Sequence, residues 1–293
     1  MRAIVHSIHS QVMETIAGLR PAAVLSLDSH LDVSLGGDPA VYPPALRPIV
    51  QRTSVHALMR EVSGGVPALG SSAERRAPRV VVAIPERMLA RHASEVEAML
   101  PRSLRTSDPE ESVASVVGFL GEKLGIEVHA SPPESLTALL PKARAAGPSS
   151  WLLDIDVDCM QEMQEECFTQ IRGAGPGVLQ PASKVVEFVR ASKPENITVS
   201  EAMTSAIRDP ESNFSAFVRA LERLGYAVEQ RGVYESDAEV IKGIDDCREF
   251  YTRVSRPLMK KNMGSMMRGD NSRFEREERL AAREFFRRRG YPG

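Results

Sequence analysis

Two short acidic segments carry residue types that bind metal ions. One is LSLDSHLDV, in which Asp28, His30 and Asp32 alternate; the other is WLLDIDVD, in which Asp154 and Asp156 alternate after an apolar run. Alternate residues of a β-strand point to the same face, so each segment presents its polar side chains together. Carboxylate oxygens with a few imidazole nitrogens suit hard divalent cations such as Mn²⁺ or Mg²⁺. Both segments are therefore candidate metal-ligand sets.

Each segment also has an interpretation without a metal. The aspartates of the first could cap the next helix or bind arginine, and Asp156 with Asp158 could complement the dipole of a following helix. Two adjacent strands that both end in buried carboxylates are costly without a cation, because like charges repel and raise each other's pKa. If fully extended, Asp28 and Asp32 would lie about 13 Å apart, too far for one ion. Either the chain turns back near Leu31 or the segment serves two neighbouring ions.

The elements that must position these residues are short apolar strands alternating with amphipathic helices. The strand predictions are Arg2–Val5, Ala22–Leu27, Arg79–Ile84, Ile126–His129, Ser150–Ile155, Ile197–Ser200 and Tyr226–Glu229. The helix predictions are 10–19, 55–63, 86–99, 109–124, 134–146, 182–192 and 212–224. This alternation predicts an α/β fold, a three-layer αβα domain with a mostly parallel, doubly wound sheet. Ligands of such sheets bind at the carboxyl ends of the strands, where both acidic segments begin.

Length and composition predict an ordinary globular protein. The 293 residues, 42% hydrophobic and 26% charged, suffice for one large domain with a small appendage. We expect an α/β metal-binding domain over residues 1–234 and a charged helical extension over 235–293, packing on that domain or on a partner. The absence of an 18-residue apolar run and of a signal-like N-terminus leads us to expect a cytoplasmic protein without a membrane partner. Three cysteines are too few for a disulfide framework.

The C-terminal extension is basic. Residues 256–293 carry a net charge of +6, whereas the whole chain carries −2, so the remainder carries −8. Arginines at helical spacing form a candidate stripe for nucleic acid or another acidic partner, namely Arg276, Arg279, Arg283 and the run Arg287 to Arg289. Interleaved glutamates favour instead a solvated helix with ion pairs between residues four apart. Nucleic acid is therefore the less favoured partner.

The acidic segments resemble the signature of the ureohydrolases, the arginase and agmatinase superfamily. That family has Asp-x-His-x-Asp on one strand and Asp-x-Asp on a later one, as in LDSHLD and LDIDVD here. His6, 22 residues before Asp28, resembles the family's first metal ligand. Glu201 lies 47 residues after Asp154 and resembles the substrate-binding glutamate. The resemblance covers residues 1 to about 230 loosely and implies an arginase/deacetylase-like fold.

The resemblance implies a dinuclear-metal hydrolase that uses two divalent ions, expected to be Mn²⁺, to activate a bridging water. The reaction would cleave a C–N bond of a small guanidino, ureido or amide substrate. One ion would be held by His6, Asp28, Asp32 and Asp154. The other would be held by His30, Asp28, Asp154 and Asp156. His56 resembles the family's proton shuttle, and whether His9 competes with His6, or Asp158 joins the site, stays open.

Some features depart from the family pattern and keep other interpretations open. Leu152 stands where the family has serine, and Asp158-Cys159 replaces its Asp-Pro, so the substrate stays open. A zinc deacetylase of similar fold is disfavoured because the chain has no His-His pair. The alternative is a metal-binding interaction protein without hydrolase activity, whose basic C-terminal helices bind nucleic acid or a protein. Whether the chain forms a homo-oligomer also stays open.

Overall fold

A computed structural model describes most of the chain at the level of individual residues. The described residues are 1–29, 41–47, 49, 79–90, 115, 117–118, 125–131, 136–141, 151–168, 177–266 and 270–292. Contacts divide the chain into two compact units. Unit 1 comprises Met1–Leu31 and Val55–Glu235, and unit 2 comprises Asp32–Ser54 and Ser236–Gly293.

A seven-stranded sheet forms the centre of unit 1. Its strands are β1 (Arg2–Val5), β2 (Ala23–Leu27), β3 (Arg79–Pro85), β4 (Glu127–Ser131), β5 (Trp151–Asp156), β6 (Asn196–Ser200) and β7 (Ala227–Gln230). Their order is β4-β3-β2-β5-β6-β1-β7, and every neighbouring pair is parallel. The central strands β2 and β5 are buried along their whole length, as expected of a parallel sheet that helices cover on both faces. All seven predicted strands are confirmed, with ends shifted by at most two residues.

The described helices of unit 1 flank this sheet. They are α1 (Val12–Leu19), α2 (Ala182–Ser192), α3 (Thr204–Arg208) and α4 (Asn213–Arg223). Three of them lie where the sequence predicts helices; the five-residue α3 is too short to show a helical period. The predicted helix 55–63 lies outside the described residues. Those at 86–99, 109–124 and 134–146 are described only in part, with helical residues at 86–90 and a 3-10 turn at Leu136–Leu139. The αβα architecture is thereby confirmed.

The core of unit 1 joins the sheet to its helices through large apolar side chains. Trp151 on β5, Phe188 on α2 and Phe214 on α4 are each at most 2% exposed. They belong to one contiguous hydrophobic cluster with Ala3 and Val5 of β1, Leu25 and Leu27 of β2, and Ile197 and Val199 of β6. Burial of this cluster stabilises the sheet whose carboxyl edge carries the acidic segments.

Unit 2 is helical in its described part. Its helices are α5 (Asp237–Phe250), α6 (Arg256–Met266) and α7 (Ser272–Arg288), with the π-helical turn Tyr251–Ser255 between α5 and α6. Tyr42, Phe250 and Phe286 pack together with ring centroids 5.1 to 5.5 Å apart. A Cβ on Gly243 of α5 would lie 2.6 Å from Ile49 Cδ1. A glycine is therefore required where Ile49 packs on α5. Unit 2 thus includes residues that the sequence analysis assigned to the N-terminal domain.

No helix in the described part of the chain is both long enough and apolar enough to cross a bilayer. Cys159, Cys167 and Cys247 are all in the thiol form, without a disulfide. Burial, with nearby carboxylates, raises the pKa of Cys159 and of Cys167 well above the ordinary value, so both stay protonated.

Replacement of Phe188 by alanine should destabilise unit 1. The ring is 1% exposed in the core cluster, so Phe188→Ala should lower the free energy of unfolding by about 3–5 kcal/mol. Urea denaturation followed by circular dichroism measures the change. The neighbouring exposed residue provides the control, because Glu187→Ala should change stability by no more than about 0.5 kcal/mol. Equal effects of the two substitutions would contradict the assigned packing of α2.

Candidate metal centre

A row of polar side chains crosses three neighbouring strands just below the carboxyl edge of the sheet. Ser26 on β2, Asp154 on β5 and Thr198 on β6 are register partners. The hydroxyl of Ser26 donates to Asp154 Oδ2 at 2.7 Å, and that of Thr198 donates to Asp154 Oδ1 at 2.7 Å. All three residues are fully buried. Asp154 is therefore held by both neighbouring strands.

A second row lies one pleat nearer the edge. Asp156 ends β5 opposite Ser200 of β6, and Asp28 follows the last register pair of β2 with β5. The backbone N–H of Asp28 donates to the carbonyl of Ala83 at 3.1 Å, which extends the pairing of β2 with β3 to this residue. Alternation places this row on the same face as Asp154. Asp28, Asp154 and Asp156 are each at most 1% exposed.

His9 connects the two rows. It begins a 3-10 turn, His9–Gln11, that follows β1, and its side chain is fully buried. Its Nε2 lies 2.8 Å from Asp154 Oδ2. Its Nδ1 lies 3.2 Å from Asp156 Oδ2 and 3.5 Å from Asp28 Oδ2. The ion pairs described for these three carboxylates all involve this one imidazole.

Glu201 fixes the backbone of His9. It follows β6, is 6% exposed, and its Oε1 accepts a hydrogen bond from the His9 backbone N–H at 2.8 Å. Its backbone adopts the left-handed region with φ 71°, which is strained for a residue with a side chain. The contact joins the carboxyl ends of β6 and β1, so it helps to set where the imidazole lies.

Asp158 borders the cluster. Its Oδ1 accepts from the Ser29 hydroxyl at 2.7 Å, and its backbone N–H donates to Asp156 Oδ1 at 3.1 Å. It lies in the 3-10 turn Val157–Cys159 directly after β5 and is fully buried. Asp158 therefore orients Asp156 and adds a further buried carboxylate beside it.

The electrostatics of the two rows differ. Burial, with the charges of Asp158 and Asp28, raises the pKa of Asp156 well above its ordinary value. Burial acts on Asp154 in the same direction, but His9 and the hydroxyls of Thr198 and Ser26 hold its pKa below the ordinary value. The carboxylate of Asp154 is thus compensated by hydrogen bonds, whereas ionisation of Asp156 beside Asp28 and Asp158 is costly unless a cation compensates the charge.

His6 lies apart from the aspartate pair at the edge. Its Nε2 lies 3.1 Å from the hydroxyl of Thr15 on α1, and its buried Nδ1 has no hydrogen-bond partner among the described residues. Burial lowers the pKa of His6 to about 4. His6 is therefore neutral near pH 7.

His9, Asp28 and Asp156 fit a divalent cation. Each of these side chains offers one ligand atom, and the three atoms lie within 4.8 Å of one another. Bonds of about 2.1 Å to an octahedral ion would place adjacent ligands about 3 Å and opposite ligands about 4 Å apart. Ser200, beside Asp156 in the register, has a buried hydroxyl without a described partner. The donor set and this polar atom both suit an ion at the edge.

The structure brings several predicted residues together and places others elsewhere. Asp28, Asp154, Asp156 and Glu201 meet at His9, while His6 contacts Thr15. His30, Asp32 and His56 lie outside the described residues, so their roles stay predictions. Ser26 and Thr198 were missed by the sequence analysis. The signal for Ser26 is its position two residues before Asp28, on the same face of the strand; Thr198 shows no comparable signal without the register.

Fold and site together define an αβα protein with a buried cluster of carboxylates and an imidazole, a candidate cation site, at the carboxyl edge of a parallel sheet. No protein-family model matches the chain, and no curated protein matches it in sequence. Solved structures with a similar fold include proclavaminate amidino hydrolase from Streptomyces clavuligerus, at 13% identity and a TM-score of 0.43, covering 76% of this chain and 62% of that one. Formimidoylglutamase from Bacillus subtilis matches at 16% identity and a TM-score of 0.41, covering 83% of this chain and 60% of that one.

Arginase from Bacillus cereus matches at 14% identity and a TM-score of 0.42, covering 78% of this chain and 71% of that one. This chain therefore spans about three fifths of the length of the first two matched structures. These are likenesses of fold at low identity, and no activity, substrate or cofactor carries over from them.

The contribution of His6 to the stability of the metal-free protein, measured as wild type minus His6→Gln, should rise with pH between about 4 and 6.5. In this range the unfolded chain binds a proton at His6, with a pKa of about 6.5, whereas the folded chain, with a pKa of about 4, does not. This contribution is therefore lost as the pH falls through this window, by up to about 3 kcal/mol. Urea denaturation at several pH values, in the presence of a chelator, measures it. A difference between the two proteins that does not change with pH would contradict a buried neutral His6.

Proposed function

We propose that this chain is a metal-dependent hydrolase of the ureohydrolase type. The observation that carries the proposal is the convergence of His9, Asp28 and Asp156 at the carboxyl edge of a parallel sheet, with one ligand atom of each within 4.8 Å. Asp156 ends β5, Asp28 directly follows β2, and His9 lies in the 3-10 turn after β1. The motif resemblance of the two acidic segments supports the same assignment independently of the coordinates.

The ligand chemistry favours a hard divalent cation, with Mn²⁺ as the proposed metal. Two carboxylates and one imidazole, with no thiolate, suit Mn²⁺ or Mg²⁺. We propose a second ion in the same site, to which His30 and Asp32 would contribute. His9 takes the role that the sequence analysis assigned to His6, because its ring faces the aspartates.

The residues of this chain would shape the reaction in three ways. The chemistry that a bound cation supplies is polarisation of water and of the substrate's C=N or C=O group. Asp28 and Asp156 give the site a negative field that attracts a guanidinium-like cation. Burial of both carboxylates excludes bulk water and strengthens that field. Glu201 is 6% exposed at the same edge and is the proposed substrate-binding carboxylate.

Loss of either edge carboxylate should abolish cation binding. Asp28→Asn and Asp156→Asn each remove a charged ligand, so isothermal titration with Mn²⁺ should show at least a hundred-fold weaker binding, on the scale of removal of a direct ligand. Hydrolysis of a panel of guanidino, ureido and amide compounds, followed as urea or ammonia release, should fall in parallel. Glu187→Gln, an exposed change on α2, controls for the loss of one negative charge.

Two outcomes separate the parts of this proposal. If wild-type protein binds no Mn²⁺, Mg²⁺ or Zn²⁺, the metal assignment is wrong. If the metal binds and is lost in both aspartate variants but no compound of the panel is hydrolysed, the hydrolase assignment is overturned and the metal site stands.

The exposed face of α7 favours a second candidate function, the binding of an acidic partner. Arg276, Arg283 and Arg287 are exposed and form no ion pair among the described residues. Three of the four glutamates of the helix are engaged by other groups, Glu277 by Lys261 and Arg273, Glu284 by Arg288, and Glu278 by Ser255. The fourth, Glu275, lies beside Arg276 and Arg279. The arginines therefore leave a basic face about 16 Å long rather than a fully paired helix.

The partner that best fits this face is an acidic protein segment with apolar residues. Leu280 is 63% exposed within the stripe, where it offers an apolar contact that the phosphates of a nucleic acid would not use. The basic charge of residues 256–293 supports attraction to such a segment.

Removal of charge from this face should weaken binding to acidic probes. Arg283→Gln with Arg287→Gln should reduce the affinity for a helical Glu/Leu peptide several-fold, and the affinity should fall as salt rises from about 50 to 200 mM. Fluorescence anisotropy with the full chain measures this. The matched control is Arg273→Gln with Arg288→Gln, which removes paired arginines of the same helix. Stronger binding of a single-stranded oligonucleotide than of the peptide would point to nucleic acid instead.

A further inference from the structure

We propose that Asp154 positions the imidazole of His9 and does not itself ligate the cation. The inference rests on the proposed metal site and assigns a different role to one of its carboxylates. It also departs from the ligand set implied by the motif resemblance, in which Asp154 bridges two ions.

The oxygens of Asp154 are already engaged. Oδ1 accepts from the Thr198 hydroxyl at 2.7 Å, and Oδ2 accepts from the Ser26 hydroxyl at 2.7 Å. Oδ2 also lies 2.8 Å from His9 Nε2. Three hydrogen-bonding groups thus contact its two oxygens in a fully buried site. Among the described residues, the ligand atoms that lie within 4.8 Å of one another come from His9, Asp28 and Asp156, and not from Asp154.

The role of Asp154 as a hydrogen-bond acceptor decides which ring nitrogen of His9 carries the hydrogen. Both oxygens of Asp154 accept hydrogen bonds from hydroxyl groups, so the carboxylate acts as an acceptor toward its neighbours. His9 Nε2 must then donate to it. This leaves Nδ1, which faces Asp28 and Asp156, as the nitrogen that can bind a cation.

Two further contacts make this orientation rigid. The backbone N–H of His9 is tied to Glu201 at 2.8 Å, and Asp154 is itself held from β2 and β6. A carboxylate that receives the second N–H of a metal-binding histidine typically fixes its tautomer and ring orientation and raises its basicity. Asp154 lies one pleat below Asp156, about 6.6 Å along the strand, which separates the positioning row from the ligand row.

Metal affinity distinguishes a positioning residue from a ligand. Asp154→Asn keeps an acceptor for His9, so Mn²⁺ binding measured by titration should weaken by about 10–100-fold without a change in the number of ions bound. Asp156→Asn, two residues away on the same strand, is the matched control and should weaken Mn²⁺ binding by at least a hundred-fold. If both variants lose binding to the same extent, Asp154 is a ligand and the inference is overturned.

Thr198→Val should change the Mn²⁺ affinity in opposite directions depending on whether Asp154 positions His9 or ligates the cation. It removes one donor to Asp154 at nearly constant volume. A positioning carboxylate would hold His9 less firmly, and Mn²⁺ affinity should fall a few-fold. A ligand carboxylate would gain a lone pair, and the affinity should hold or rise, which would contradict the inference.

Nitrogen NMR of His9 reads the tautomer directly. In protein labelled with ¹⁵N and loaded with diamagnetic Zn²⁺, Nε2 should carry a slowly exchanging proton and Nδ1 should carry none. A proton-free Nε2 would overturn the inference. In metal-free protein, faster exchange of the Nε2 proton in Asp154→Asn than in Asp156→Asn tests the hydrogen bond by itself. Wild-type protein that binds no cation overturns the proposed function, while this exchange measurement still decides the role of Asp154.

Discussion

The burial of several carboxylates around the imidazole of His9 is the constraint on which the site depends. Asp28, Asp154 and Asp156 are almost completely excluded from water, and their described ion pairs all go to His9. Ionised carboxylates cannot be buried together at low cost unless hydrogen bonds or a cation compensate them. The two rows satisfy this requirement differently: hydroxyls compensate the deeper Asp154, and the edge pair leaves a place for a cation.

The sheet makes this arrangement geometrically simple. Because β2, β5 and β6 are neighbours and parallel, one register line brings Ser26, Asp154 and Thr198 together, and the next line brings the edge aspartates near Ser200. β1 lies beyond β6, so His9 reaches the cluster from the loop after β1. The left-handed backbone at Glu201 is local strain of the kind that folds retain at functional sites.

A protein with this site would combine rigidity with a strong field. The hydrogen bonds of Asp154 and Glu201 to His9 limit the motions of the imidazole, so the proposed ligand atoms are placed before a cation arrives. Unit 2 has a different character. Its described helices pack on an aromatic cluster that includes Tyr42, Phe250 and Phe286, and α7 presents arginines to solvent. Catalytic and partner-binding roles would therefore belong to different units of one chain.

The sequence by itself determined the seven strands, their parallel arrangement and the acidic character of the edge, because apolar runs and alternating carboxylates are local patterns. It also indicated Asp28 and Asp156 as candidate ligands. Only the tertiary structure decided that the ring of His9, rather than that of His6, faces the aspartates, since the two histidines lie three residues apart and the turn after β1 sets their directions. It alone revealed Thr198 as a partner of Asp154, because strand register is a long-range property that local spacing does not encode.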